Sequence, residues 1–420
     1  MSTDITGDSV DLATTLDSAE PATTRGISEP AATRGITQFP QLTDEQLDRL
    51  FLRRPQTVDL YSPIEHLAIA LGATLYVPAT RNDLTAVIRR RADSGVTSMV
   101  IDLEDAVADE DEATAVARTI TTLTEFADDN WDRLLLFVRV RNTDHIETIT
   151  AGLAPGHCLA GFVIPKFEAE SGAAALDTIA AVSADWDRPL YVMPVLETPR
   201  IVHRETRDAE LTAIREVLNR HRERVLAVRI GATDICGLFG IRRDRDVTIY
   251  DVRVAADAVA GIVNMLGRSD GTGFVITGPV WEYFANHERM FAPTLRHTPF
   301  REHDAVYFRQ QLVSRDLDGL LREIALDRAN GITGKTVIHP VHVGAVHALS
   351  TVTDEEYSDA LDILDRDGGG AQASAYGNKM NELKPHRNWA LGVMNRAHVF
   401  GVTRRDISFV DLLTEWAGDQ

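Results

Sequence analysis

The chain has 420 residues, 44% of them hydrophobic and 25% charged, the balance of a globular protein with room for one large α/β domain or two ordinary ones. Its formal net charge of −20 excludes a nucleic-acid partner, which needs a basic face, and no window approaches the roughly 18 consecutive apolar residues of a membrane span. Two cysteines, Cys158 and Cys236, exclude a disulfide framework or a thiolate zinc site; with no secretory signal pattern at the N-terminus, they predict a reducing, cytoplasmic setting.

Residues 1–40 are rich in Thr, Ala, Ser, Asp and Pro and contain a short duplication, Pro21–Ser28 and Pro30–Thr37. Such a composition predicts a disordered tail. From about residue 60, short β-rich apolar runs alternate with helical segments. The predicted strands are Thr74–Val77, Met99–Leu103, Leu135–Val140, Gly161–Pro165, Leu190–Leu196, Val225–Ile230, Phe274–Thr277 and Lys335–Ile338. Helical periodicity marks Asp83–Ser94, Glu112–Phe126 and Asp251–Leu266, the last with Val252, Ala256, Val259 and Val263 on one face.

Eight strands alternating with helices predict an α/β protein with a closed (β/α)8 TIM barrel. An open doubly wound sheet is the rival, but the turn Val77–Asp83 lacks a glycine-rich phosphate loop. The polar stretch Trp281–Arg315 falls where a barrel would carry an active-site loop or a structural insert. Beyond the last strand, Val341–Leu349 and Asp354–Asp365 read as helices, Gly368–Gly370 as a hinge, and Tyr376–Gly401 as a lid or a surface helix. The expected domains are a tail to residue 40, a barrel over 41–365 and a C-terminal helical extension over 366–420.

Catalytic groups of a barrel come from the C-terminal ends of several strands. In chain order those ends carry Arg81; then Asp102, Glu104 and Asp105; Arg139 and Arg141; Lys166; Glu197; Asp234; and His339. One such charge can be a layer-capping ion pair, and His339 reads better as a turn cap than as a catalyst. Their recurrence points to a site. Carboxylates without a histidine or cysteine cluster suit a hard, oxygen-seeking cation such as Mg²⁺. Arg139 adds a planar fork for a substrate carboxylate. A metal and an arginine around a 2-oxo acid are what stabilising an enolate requires.

The ordered motifs resemble the citrate lyase β-subunit-like group of the HpcH/HpaI aldolase superfamily, from about Leu75 to Asp365. Leu75–Arg81 is similar to its Leu-Phe-Val-Pro-Gly…Arg opening, with Ala79 at the usual glycine. Ile101–Val107 resembles the Leu-Asp-Leu-Glu-Asp-Ala-Val signature, and Val138–Val140 the Val-Arg-Val-Asn segment, with Arg141 where Asn is usual. Ile164–Lys166, Leu196–Thr198, Gly231–Asp234 and Gly334–Pro340 are similar to the remaining motifs. The segment Gly377–Ala390 resembles the branch of these barrels found with tellurite-resistance stress operons.

The resemblance implies a homo-oligomeric TIM-barrel lyase in which Glu197 and Asp234 hold Mg²⁺ and Arg139 grips an oxaloacetate- or pyruvate-like carboxylate. It implies that Arg81, Glu104 and Lys166 line the pocket and that Glu104 or Asp105 bonds metal-bound water. Arg141, as a second cation, predicts an extra anionic group on the substrate. The expected reaction is carbon–carbon cleavage or aldol addition on a small 2-oxo or 3-hydroxy acid through a metal-stabilised enolate, with an acyl-CoA or phosphorylated form left open. The alternatives are phosphoryl or mutase chemistry on a phosphoenolpyruvate-like substrate, and a non-catalytic scaffold in a stress-response complex.

Overall fold

The computed structural model describes residues 35–127, 133–153, 156–184, 186–284, 315–366 and 370–418. The tail through residue 34, the polar stretch 285–314 and Gly368–Gly369 lie outside the described residues. Eight parallel strands close into a barrel: β1 (Ala73–Pro78), β2 (Ser98–Asp102), β3 (Leu135–Arg139), β4 (Leu159–Ile164), β5 (Tyr191–Leu196), β6 (Val228–Ile230), β7 (Ile276–Trp281) and β8 (Thr333–Val337). Leu75 lies abreast of Val337 where β1 and β8 complete the ring.

Strands β2, β4 and β5 are buried along their whole length, because helices cover the outer face and side chains fill the interior. Runs of Val, Ile, Met and Phe meet that double burial with no polar side to expose. The helices supply the outer apolar layer. In Arg253–Leu266, the buried face is Ala255, Ala258, Val259, Ile262 and Leu266. It is rotated by about one position from the face the sequence predicts. Burying Ile262 and Leu266 contributes about 1.5–3 kcal/mol each, more than Ala256 and Val263 offer.

Strand β7 differs more from expectation. The sequence predicts Phe274–Thr277, whereas the strand runs Ile276–Trp281 and takes in Gly278 and Pro279. The register against β8 shifts on either side of Gly278, and such an irregularity tolerates residues that a regular ladder excludes.

Residues assigned by composition to the tail also differ. Ile36 bridges Val58, and Phe39 is buried against Phe51, His347 and Trp416. The C-terminal extension lies at the end where the strands begin. Its helix Arg387–Phe400 packs on Ile64–Ala70, just before β1, and Val402–Thr403 pairs with Phe51–Arg53. A Cβ at Gly72 would meet His347 and Phe400, and one at Gly95 would meet Gln41 and Trp416. The extension therefore does not form a lid over the strand C-termini of its own chain. Its apolar face of Ala390, Val393, Ala397 and Phe400 is buried at the opposite end. Among the described residues, no helix is long and apolar enough to cross a membrane.

Candidate active site

A cavity of about 300 Å³ opens at the C-terminal end of the strands and is lined by Asp102, Asp105, Arg139, Glu197 and Asp234, with Tyr76, Arg229 and Thr336 deeper in the barrel. Register explains the convergence. Asp102 lies abreast of Arg139 on neighbouring strands, and Leu196 lies abreast of Ile230, so Glu197 and Gly231 emerge side by side.

Arg139 closes its fork on Asp102, Nε donating to Oδ1 at 2.6 Å and Nη2 to Oδ2 at 2.7 Å. Its remaining nitrogen, Nη1, lies 3.0 Å from Glu104 and 3.5 Å from Asp105. Burial opposes its charge, but Asp102, Tyr76 and Glu104 outweigh that and hold its pKa above the usual arginine value. A two-nitrogen grip on a substrate carboxylate would therefore require Asp102 to be displaced.

Lys166 connects the two acidic groups. Its Nζ donates to Glu104 at 2.5 Å, and its backbone N–H donates to Glu197 at 2.9 Å. The residue has φ 48°, a left-handed backbone that costs a non-glycine residue about 1–2 kcal/mol. That strain turns the amide toward the Glu197 carboxylate. Burial pushes Glu104 upward despite Lys166 and Arg139. Asp105 is held low against its own burial by Glu104, Arg139 and Lys166.

Glu197 is buried, and among the described residues it has no cationic side chain within ion-pair distance. Burial and the like charges of Asp234 and Glu104 push its pKa up to about 8, against the Lys166 amide and Arg139. Room for the carboxylate comes from Gly231, where a Cβ would fall 1.7 Å from Glu197 Oε2. Gly231 precedes the short helix Ala232–Gly237, and Asp234 lies in its first turn.

The other predicted groups lie elsewhere. Arg81 is exposed and paired with Asp83 at 2.9 Å, and it does not line the cavity. Arg141 pairs with Asp109 at 2.7 Å and Glu112 at 3.2 Å and donates to the Val107 and Glu104 carbonyls. It ties down the loop after β2 and offers no free charge, so the extra anionic group inferred from it loses its support. His339 stacks on Phe284 with 4.6 Å between centroids, and its Nδ1 accepts from the Val341 amide, the contacts of a turn cap.

Sequence reasoning missed Tyr76, Arg229 and Thr336, which lie within strands and not at their ends. The one available signal was an arginine inside the apolar run Val225–Ile230.

The chain matches the C–C bond lyase family of the TIM-barrel fold over residues 65–402. It belongs to that family. This lyase is therefore a carbon–carbon lyase by membership, and its barrel is similar to several solved structures. A citrate lyase from Burkholderia xenovorans LB400 is 16% identical, with 83% of this chain and 94% of that one covered and a TM-score of 0.55. The protein CitE from Mycobacterium tuberculosis, solved with magnesium, acetoacetate and coenzyme A, is 18% identical over 78% and 97% of the two chains, with a TM-score of 0.49. Haloferax volcanii malate synthase is 14% identical over 65% and 72%, with a TM-score of 0.45. At these identities the likeness is one of fold. No curated protein matches the lyase in sequence.

Proposed function

We propose that the lyase is magnesium-dependent and makes or breaks the carbon–carbon bond beside the ketone of a small 2-oxo acid, with Glu197 and Asp234 as its metal ligands. The observation that carries this reading is Glu197: a buried carboxylate beside a like charge, with no cationic partner among the described residues, kept in place by the missing side chain of Gly231. A buried carboxylate in that state is costly unless a cation or a proton joins it. The donors are hard oxygens. Among the described residues, no group of three or more His, Cys, Asp or Glu could hold a metal ion; the proposed site rests on the two carboxylates of Glu197 and Asp234. Magnesium suits such a site, because it keeps several waters and takes its other positions from a chelating substrate.

When bound, magnesium would act as a Lewis acid on the substrate's 2-oxo group. The chain's own residues order the surroundings. Arg139 and Lys166 hold the acidic wall of Asp102, Glu104 and Asp105. Burial pushes Glu104 up while Glu104, Arg139 and Lys166 hold Asp105 down, so the two neighbouring carboxyls differ in acidity. Glu197→Ala is expected to abolish the calorimetric magnesium titration and to lower turnover by about 10²-fold or more. Wild-type turnover of 2-oxo acids by this variant overturns the reading.

A pH dependence follows. In the metal-free protein Glu197 binds a proton up to about pH 8, whereas an unfolded glutamate releases it near 4.5. Between those values the folded state carries more protons, so this group's contribution to stability falls as pH rises through the window. Magnesium must displace the proton. Affinity should increase with pH and level off above about 8, and calorimetry in buffers of differing ionisation enthalpy should show about one proton released at pH 6.5. A pH-independent affinity between 6 and 9 contradicts the assignment of Glu197.

A further inference from the structure

Deep in the cavity is a charge that the metal site does not use. Arg229, in the middle of β6, is 1% exposed and touches only neutral atoms. Nη1 donates to Thr74 Oγ1 at 3.4 Å and to Met193 Sδ at 3.6 Å, and Nη2 donates to Thr336 Oγ1. Its Cζ lies 5.6 Å from the centre of the Tyr76 ring. Among the described residues no carboxylate is within ion-pair distance of it.

Other buried cations of this chain are neutralised. Arg243 meets Glu323 at 2.7 Å, Arg207 meets Asp257 at 2.8 Å, and Lys335 meets both Glu323 and Asp327 at 2.7 Å. Arg139 has Asp102. Burial lowers the pKa of Arg229, but a guanidinium stays charged at neutral pH. A buried charge with no counter-charge destabilises the fold, and an apolar side chain of similar size would serve the packing better. Arg229, Tyr76 and Thr336 all line the cavity, and the Tyr76 hydroxyl makes no hydrogen bond among the described residues.

We propose that Arg229, with the hydroxyls of Tyr76 and Thr336, is a carboxylate subsite, so that the lyase takes a dicarboxylic 2-oxo acid whose far carboxylate sits on the cavity floor. This rests on the reading above, in which the 2-oxo end lies beside Glu197 and Asp234. It also assigns the anion-binding role to a cation that is free to perform it. Arg139 is closed on Asp102, and Arg141 is tied into a loop.

The test compares acids that differ only in a terminal carboxylate: 2-oxoglutarate against 2-oxovalerate, and oxaloacetate against 2-oxobutyrate. Dissociation constants are measured on the full-length protein with magnesium, and magnesium alone is titrated alongside. The wild type is expected to favour the dicarboxylates by about 10- to 100-fold, the range of a charge-assisted hydrogen bond. Arg229→Met should bring that ratio near one with an unchanged or higher Tm, since it removes an uncompensated buried charge. Tyr76→Phe, which removes a single oxygen, should reduce the ratio about threefold or more and covers the case in which Arg229→Met does not fold.

A wild-type ratio near one overturns the subsite and leaves the metal reading intact. So does a ratio retained in the folded Arg229→Met variant, or, where that variant does not fold, in Tyr76→Phe. Binding of none of the four acids by the magnesium-loaded wild type overturns both.

Discussion

Gly231→Ala is expected to fold and yet lose magnesium-dependent carbon–carbon bond chemistry by about 10²-fold or more, the effect of displacing a reacting group by about 1 Å. The added methyl carbon would lie 1.7 Å from Glu197 Oε2, 2.6 Å from its Cβ and 2.7 Å from its Cδ. No pair of non-bonded atoms tolerates those distances, so the carboxylate must leave its place or the end of β6 must move. Glu197 cannot retreat without losing the Lys166 amide at 2.9 Å, its one hydrogen bond among the described residues. Steady-state kinetics, magnesium calorimetry and a thermal melt on the same preparation separate a displaced ligand from a damaged fold. The double variant Gly231→Ala/Glu197→Gln should be no worse than Glu197→Gln alone, because both changes remove one interaction. Wild-type magnesium affinity in Gly231→Ala would show that Glu197 is not a ligand.

Lys335→Met is expected to destabilise the protein by about 3–5 kcal/mol, the cost of leaving a buried charge without its partner. Against a typical total of about 5–15 kcal/mol, that is a large fraction. Lys335 is fully buried between Glu323 and Asp327, 2.7 Å from each. Arg243 and the Ile249 amide hold the other oxygen of Glu323, and the Tyr250 hydroxyl holds Asp327. The cluster ties β8 to the helix Arg315–Ala329 and to the loop after β6. Burial already pushes Asp327 up to about 6 even with the lysine present. Without it Asp327 is pushed further up in the folded state and not in the unfolded one, so the loss should be larger at pH 8 than at pH 5. Urea unfolding at both pH values measures it. A midpoint equal to wild type at pH 8 would mean that the charge cluster contributes nothing net to stability.

The barrel was legible in the sequence because its signal is local. Each strand is a short apolar run, each helix has its own period, and eight repetitions close only one way. The acidic and basic strand ends were legible for the same reason: parallel strands place all their C-termini at one end. Asp102, Arg139, Glu197 and Asp234 could thus be named and found together. Gly231 was visible within a motif, but its purpose depended on the carboxylate of another strand.

The sequence by itself determined the fold, the carboxylates at the strand ends and the family. The tertiary structure alone decided which charges remain free. Alternation assigns a side chain to a face, but neutralisation depends on register and loop path. Asp102 meets Arg139 because β2 and β3 align there, Arg141 is consumed by the loop that follows β2, and Arg229 faces a barrel interior with no acid among the described residues within ion-pair distance. The same holds for the C-terminal extension. Its apolar stripe predicts that it packs, whereas its position at the end where the strands begin is set by long-range contacts with Ile64–Ala70 and Phe51–Arg53, which no local pattern encodes.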